Sequence, residues 1–269
     1  MRILPAAAPL VPLVFLPVLA LSCRAGAQSP DGTLPEAPQP QVQNADAANS
    51  VTLRNLPLDF VKDQGAIWSS PARVRVHDLK WIVPLGLATT VAITTDHQVM
   101  SSEVSHDADF NHSNVLASDV MTGVFIAAPV ALFGDGQLEK DDEARESGIL
   151  SSEALLDGLV VEQGMKLIFW RERPSMDQAK GKFFQTNVGT DSSFPSSHSV
   201  LSWSSAAVLA AEYPSGWQPF AIYTLATGVS LTRVLGEEHF PSDVIVGSAV
   251  GWMIGHYVYR RHHRNSPPA

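Results

Sequence analysis

The 269-residue sequence predicts an all-α fold, a helical bundle of about six core helices, and three observations lead there. Six apolar stretches have helical length, no alternating apolar and polar pattern of a strand competes with them, and the breaks between them carry turn residues or charge. With 45% hydrophobic and 17% charged residues the chain has the means to bury a sizeable core.

The stretches fall at about 79–95, 114–133, 149–172, 197–212, 217–234 and 241–260. Asp135-Gly136 and the acidic run through Asp141-Asp142-Glu143 separate the second from the third, and the Pro174 to Phe194 loop follows the third. Pro214-Ser215-Gly216 and the segment Gly236 to Pro241 mark the last two breaks. Residues 51–77 read as turns and short helix. No internal repeat is present, so 79–262 is expected to be a single helical domain, with 263–269 as a tail.

Ahead of it, residues 1–27 have the form of an export signal: Arg2, an apolar stretch from Ile3 to Leu21, and Ala25-Gly26-Ala27 as a small-x-small cleavage site. Residues 28–78 are a linker and N-terminal extension, flexible where Pro, Gln, Ala and Asn dominate up to about Ser50. Cys23, the one cysteine, excludes an intrachain disulfide framework and lies in a loose match to a lipoprotein box. The net charge of −9 provides no general attraction to nucleic acid, which is not expected as a partner.

Counting bears on the membrane. Uncharged runs of 15 residues lie between Lys80 and Asp96 and between Asp119 and Asp135, and one of 13 between His198 and Glu212. A span needs roughly 20. These runs, with the export signal, favour a periplasmic or envelope location with membrane association left open. Val244 to Tyr259, followed by Arg260-Arg261-His262-His263-Arg264, is the best candidate for the integral-membrane alternative.

Three segments carry chemistry. In Lys166-Leu-Ile-Phe-Trp-Arg-Glu-Arg173-Pro174 the two cations stand two helical turns apart, on one face of the third helix, with Pro174 ending it. In Ser193-Phe194-Pro195-Ser196-Ser197-His198 small residues open a helix whose amides form an anion site; Ser196 adds a hydroxyl and His198 a proton carrier. The competing account is a serine-capped helix with a surface histidine. In Thr232-Arg233-Val-Leu-Gly-Glu-Glu-His239-Phe-Pro241-Ser-Asp243 the carboxylate can hold one ring nitrogen of His239 and leave the other free as a nucleophile, with Arg233 near. A structural His-Asp cap competes with that account.

Together these segments resemble the signature of the type 2 phosphatidic acid phosphatase and vanadium haloperoxidase superfamily: Lys-x6-Arg-Pro, Pro-Ser-Gly-His and Ser-Arg-x5-His-x3-Asp. The resemblance covers about residues 150–260, with Ser197 in place of glycine and Thr232 in place of serine. It implies that His239 attacks phosphorus and forms a phosphohistidine, that Asp243 fixes its tautomer, and that His198 protonates the leaving oxygen. Lys166, Arg173, Arg233, Ser196 and the Ser197 amide would hold the phosphate. No metal or other cofactor is implied. The expected function is an exported, metal-independent phosphatase acting on a lipid phosphate, an isoprenoid phosphate or a small phosphomonoester. A vanadate-dependent haloperoxidase, with vanadate as cofactor rather than inhibitor, and a non-catalytic envelope protein of the same fold are the alternatives.

Other polar groups are expected to be solvated: His97, His106, Asp107, Asp109 and His112 between the first two helices, and the pair His262-His263 at the end. Phe169 and Trp170 are expected to pack.

Overall fold

A computed structural model describes residue 51 and residues 54–263. The signal, the lipoprotein-box match, the linker to Ser50 and all of the tail but His263 lie outside the described residues. Within them the chain forms seven α-helices and no strand: α1 Leu56–Ser69, α2 Leu79–Gln98, α3 Ala108–Glu139, α4 Asp142–Phe169, α5 Ser197–Glu212, α6 Gln218–Leu235 and α7 Pro241–His262.

Caps explain where they start. Asp107 accepts from Phe110 N at the head of α3, Asp141 from Glu143 N and Ala144 N at the head of α4, and Ser196 from Ser199 N at the head of α5. Pro241 occupies the first turn of α7, where its missing N–H costs nothing.

The centre of the bundle is α5, packed on α7, α4, α6 and α3. Gly247, Gly251 and Gly255 put one glycine per turn on the α7 face that meets it. A Cβ on Gly247 would lie 2.9 Å from the Ser196 carbonyl, and Cβ atoms on Gly251 and Gly255 would run into the carbonyls of Val200 and Ser204. Absent side chains therefore let two backbones touch along α7, the small-residue contact familiar between closely packed helices. This pairing also brings the N-termini of both helices together, since Ser196 N donates to the Asp243 carbonyl at 3.2 Å.

After Asn55 the chain forms α1 and then two short 3-10 turns, Ser70–Arg73 and Val76–Asp78. Helix α1 docks on α4 through Gln64, whose Nε2 donates to Asp157 Oδ1 at 2.8 Å, and through Trp68, which covers Gly164. Helix α2 is loosely held: only Ala92 and Asp96 of it are buried.

The surface departs from the sequence count. Val76–Glu103 and Ala108–Glu139 are long and apolar enough to cross a membrane by length and composition, and only 6% and 22% of their apolar windows are buried. Trp81, Ile82, Leu87 and Val91 on α2 and Leu116, Val120, Ile126 and Val130 on α3 stand exposed. Two of the four charges that cut the uncharged runs are engaged by partners within the bundle. Asp96 is buried against Arg171, and Asp119 bonds His198 and Arg233. Counting charge without knowing its direction therefore understated both helices. Helix α7, favoured by sequence as a span, is the one that buries its glycine face in the bundle.

Candidate active site

The site sits where α7 begins. Asp243 is fully buried, and its Oδ2 accepts from Phe240 N at 2.8 Å and from Ser193 Oγ at 2.5 Å, while its Oδ1 accepts from Arg171 Nη1 at 2.5 Å. Arg171, 1% exposed, is itself held by Asp96 at 2.7 Å and the Gly181 carbonyl at 3.2 Å, with its guanidinium 4.6 Å from the Phe183 ring and 4.2 Å from the Phe240 ring. Ser242 Oγ donates to Asp96, closing the network. A buried charge of each sign is thus paired and hydrogen-bonded, as burial requires.

His239 is 1% exposed beside this frame. Its Nδ1 lies 2.8 Å from the Ser193 carbonyl and 3.7 Å from Asp243 Oδ2. A carbonyl only accepts, so Nδ1 carries the proton and Nε2 keeps its lone pair. The direct hydrogen bond that fixes the tautomer comes from Ser193, while Asp243 supports the ring as a neighbouring charge. Burial pushes His239 down to about 4, against the pull of Asp243, so the ring is neutral at pH 7.

The second element is the head of α5. Phe194 packs edge-on against Phe169 and Phe183, and the Phe194-Pro195 peptide is cis. Ser196 caps the helix with its hydroxyl, the role in the plainer account of this motif, and its N–H is engaged by Asp243. The amides of Ser197 and His198 remain as first-turn donors without an intrahelical acceptor. Ser197 Oγ donates to Glu162 Oε1 at 2.5 Å, and Lys166 Nζ pairs with the same oxygen at 3.0 Å.

The cations close the ring. Glu238 Oε2 is shared by Arg173 Nη1 at 2.9 Å and Arg233 Nη2 at 3.2 Å, and Asp119 Oδ1 by Arg233 Nη1 at 3.3 Å and His198 Nε2 at 2.9 Å. Burial and the Arg233 charge push His198 down to about 4, with Asp119 opposing. Two carboxylate oxygens of the protein thus rest between the groups that would bind the oxygens of an anion.

Ser196, His239 and Asp243 share one set of contacts, Arg173, Arg233 and His198 a second through Glu238 and Asp119, and Lys166 and Ser197 a third through Glu162. One local expectation is corrected. Lys166 and Arg173 do not share a helix face, because α4 ends at Phe169 and Trp170 turns the chain with a left-handed backbone, φ 38°. Residues 169–172 then run beside 182–185, with Phe184 N donating to the Phe169 carbonyl and Glu172 N to that of Lys182. Arg173 arrives from this extended segment. Sequence reasoning missed Arg171, hidden among the six residues between Lys166 and Arg173, and its partner Asp96. It also missed Asp119, whose partners are remote in sequence, and Glu238, which joins the nearby Arg233 to the remote Arg173.

The segment between α2 and α3, expected to be solvated, is tied to the site. His106 Nδ1 and Asn111 Nδ2 each lie 2.5 Å from the Glu237 carboxylate, two residues before His239. Asp107 is the α3 cap, and Asp109 and His112 are exposed. His97 Nδ1 lies 3.2 Å from the Ala179 carbonyl.

Over the described residues, fold and site define an all-α chain in which carboxylate-paired cations gather near a neutral buried histidine. Residues 148–267 match the PAP2 superfamily. It is 27% identical over 187 residues to the lipid A 1-phosphatase of Porphyromonas gingivalis, an alignment covering 67% of this chain and 38% of that protein. The chain thus spans well under half the length of this relative. No solved structure matches it.

Proposed function

We propose that this protein is a membrane-associated envelope phosphatase that hydrolyses a lipid phosphate ester through a phosphohistidine. The observation that carries the reading is the sharing of Glu238 Oε2 by Arg173 and Arg233, and of Asp119 Oδ1 by Arg233 and His198, beside the free Nε2 of His239. An arriving phosphate displaces these carboxylates and takes the same donors for its non-bridging oxygens. Lys166 and the Ser197 amide contribute the remaining positive field.

His239 Nε2 attacks phosphorus in line, forming the P–N bond as the P–O bond to the leaving group breaks. His198 delivers its proton to the departing oxygen. In the free protein its burial and Arg233 disfavour that proton, and the dianionic phosphate supplies the charge that restores it. Water, deprotonated by His198, then cleaves the P–N bond and releases phosphate. Three cations around one phosphoryl group supply the charge stabilisation, so no metal enters the step.

The lipid class rests on two supports: the exposed apolar faces of α2 and α3, and the name of the Porphyromonas gingivalis relative. The test is a panel on the detergent-purified protein with phosphatidic acid, lipid A and p-nitrophenyl phosphate, each with EDTA and with vanadate. Hydrolysis of the lipid substrates that resists EDTA and is competitively blocked by vanadate is expected. Bromide peroxidation that requires vanadate, with no hydrolysis, would replace the reading with the haloperoxidase one.

A further inference from the structure

The far end of α7 holds a second polar centre that the phosphate chemistry does not use. His262, the last residue of α7, places Nε2 2.7 Å from Asp63 Oδ2 on α1 and 3.9 Å from Glu153 Oε1 on α4. Ligand atoms of these three side chains all lie within 4.8 Å of one another. Asp63 is fully buried and Glu153 is 3% exposed.

A fourth group faces the same place. Asp157, one turn after Glu153 on α4 and fully buried, feels the charges of Asp63 and His262. Two oxygens here are buried without a hydrogen-bond partner, Glu153 Oε1 and Asp157 Oδ2. Orphaned buried carboxylate oxygens are costly, and among the described residues His262 and the partly exposed Arg261 are the cations paired with these three acids.

The opposite oxygens are already oriented. Tyr257 donates to Asp63 Oδ1 at 3.0 Å and Gln64 to Asp157 Oδ1 at 2.8 Å. Outer hydrogen bonds that aim carboxylates are the usual support of a metal site.

We propose that Asp63, Glu153 and His262 bind one divalent transition-metal ion, Zn2+ as the best fit, with Asp157 beside them, which ties α1 and the end of α7 to α4. One imidazole with carboxylates favours Zn2+ over the all-oxygen preference of Mg2+ or Ca2+. Donors at about 2.0–2.2 Å from the ion sit roughly 3.3–3.6 Å apart in a tetrahedron, and three protein ligands leave the fourth position to water or to Asp157. The cluster therefore contracts slightly around the ion, which takes the place of the His262 ring proton. From Asp243 to His262 is 262 − 243 = 19 residues, about 28 Å of helix, so the ion is remote from the phosphate. The inference stands independently of the phosphatase reading.

The test uses the tag-free full chain in detergent, stripped with EDTA, desalted and titrated with Zn2+ or Mg2+. We expect about one equivalent of Zn2+ by elemental analysis, a rise of roughly 5 °C in the unfolding midpoint at saturation, and no effect of Mg2+. E153Q and H262Q lose the ion. H263Q, altered at the neighbouring histidine that pairs with Glu146 at 2.9 Å, keeps it. No stoichiometric Zn2+ on the wild-type protein, a result independent of how the variants fold, would overturn the proposal. So would equal uptake by both E153Q and H262Q, or loss in H263Q with retention in H262Q.

Discussion

The two ends of α7 both lie against α4 and hold opposite chemistry. At its start, Lys166 near the end of α4, Arg173 and Arg233 surround a histidine, and burial pushes both His198 and His239 down to about 4. At its end, α4 supplies Glu153 and Asp157, and burial pushes both of these up to about 7. In each case desolvation disfavours the charged form, and what differs is which charge a ligand would complete. One end is shaped for an anion and the other for a cation, with the glycine-lined contact between α5 and α7 holding the frame between them.

The comparison breaks first at Arg171. Its loss leaves Asp96 and Asp243 buried without a counter-charge, so Arg171→Ala should cost about 3–5 kcal/mol by denaturant unfolding. Arg171→Lys should recover only part of this, because one ammonium cannot bridge two carboxylates between two rings.

Next come the pocket cations. Arg173→Lys and Arg233→Lys should each weaken competitive inhibition by vanadate about 10- to 100-fold, roughly 1.4–2.7 kcal/mol. Neither should change Zn2+ uptake at the far end; parallel loss of both would mean the two ends are not independent. A smaller effect of opposite sign belongs to Glu238→Gln. It removes the resident carboxylate from between Arg173 and Arg233, so vanadate should bind up to about tenfold more tightly in a steady-state inhibition assay.

The pH response is subtler still. His239 has a folded pKa of about 4, below its ordinary value, so the unfolded chain binds a proton near pH 6.5 that the native one refuses. Its contribution to stability is therefore complete above that range and declines as pH falls from about 6.5 towards 4. His239→Asn should flatten this part of a melting-midpoint profile, and an unchanged slope would deny that the ring is buried and neutral.

The sequence made the helices legible where apolar runs end in turn residues. Helix α5 was expected at 197–212 and runs Ser197–Glu212, because Pro195 and Ser196 mark its start and Pro214 follows its end. Spacing placed the eight candidate residues in three short motifs, and each motif holds its local group in order. What stayed hidden depends on contacts remote in sequence. Arg171 looks like any charged residue before a proline, and its meaning comes from Asp96, 75 residues earlier, and Asp243, 72 residues later. The end of α4 was misplaced because Trp170, not a glycine or asparagine, adopts the left-handed turn. His262 and His263 read as a solvated end, yet each rests on buried acids, His262 on Asp63 and His263 on Glu146 and Glu212.

The central claim is that His239 Nε2 becomes covalently bonded to phosphorus. Acid lability and base stability distinguish a phosphohistidine from a phosphoserine or an acyl phosphate. The direct measurement is rapid denaturation in base of protein turning over a 32P-labelled lipid phosphate, followed by peptide mapping. The account predicts label on the peptide containing His239, stable in base, released in acid and absent from His239→Ala, which should also lose hydrolysis. Wild-type turnover by folded His239→Ala, or base-stable label that maps to His198, would contradict it.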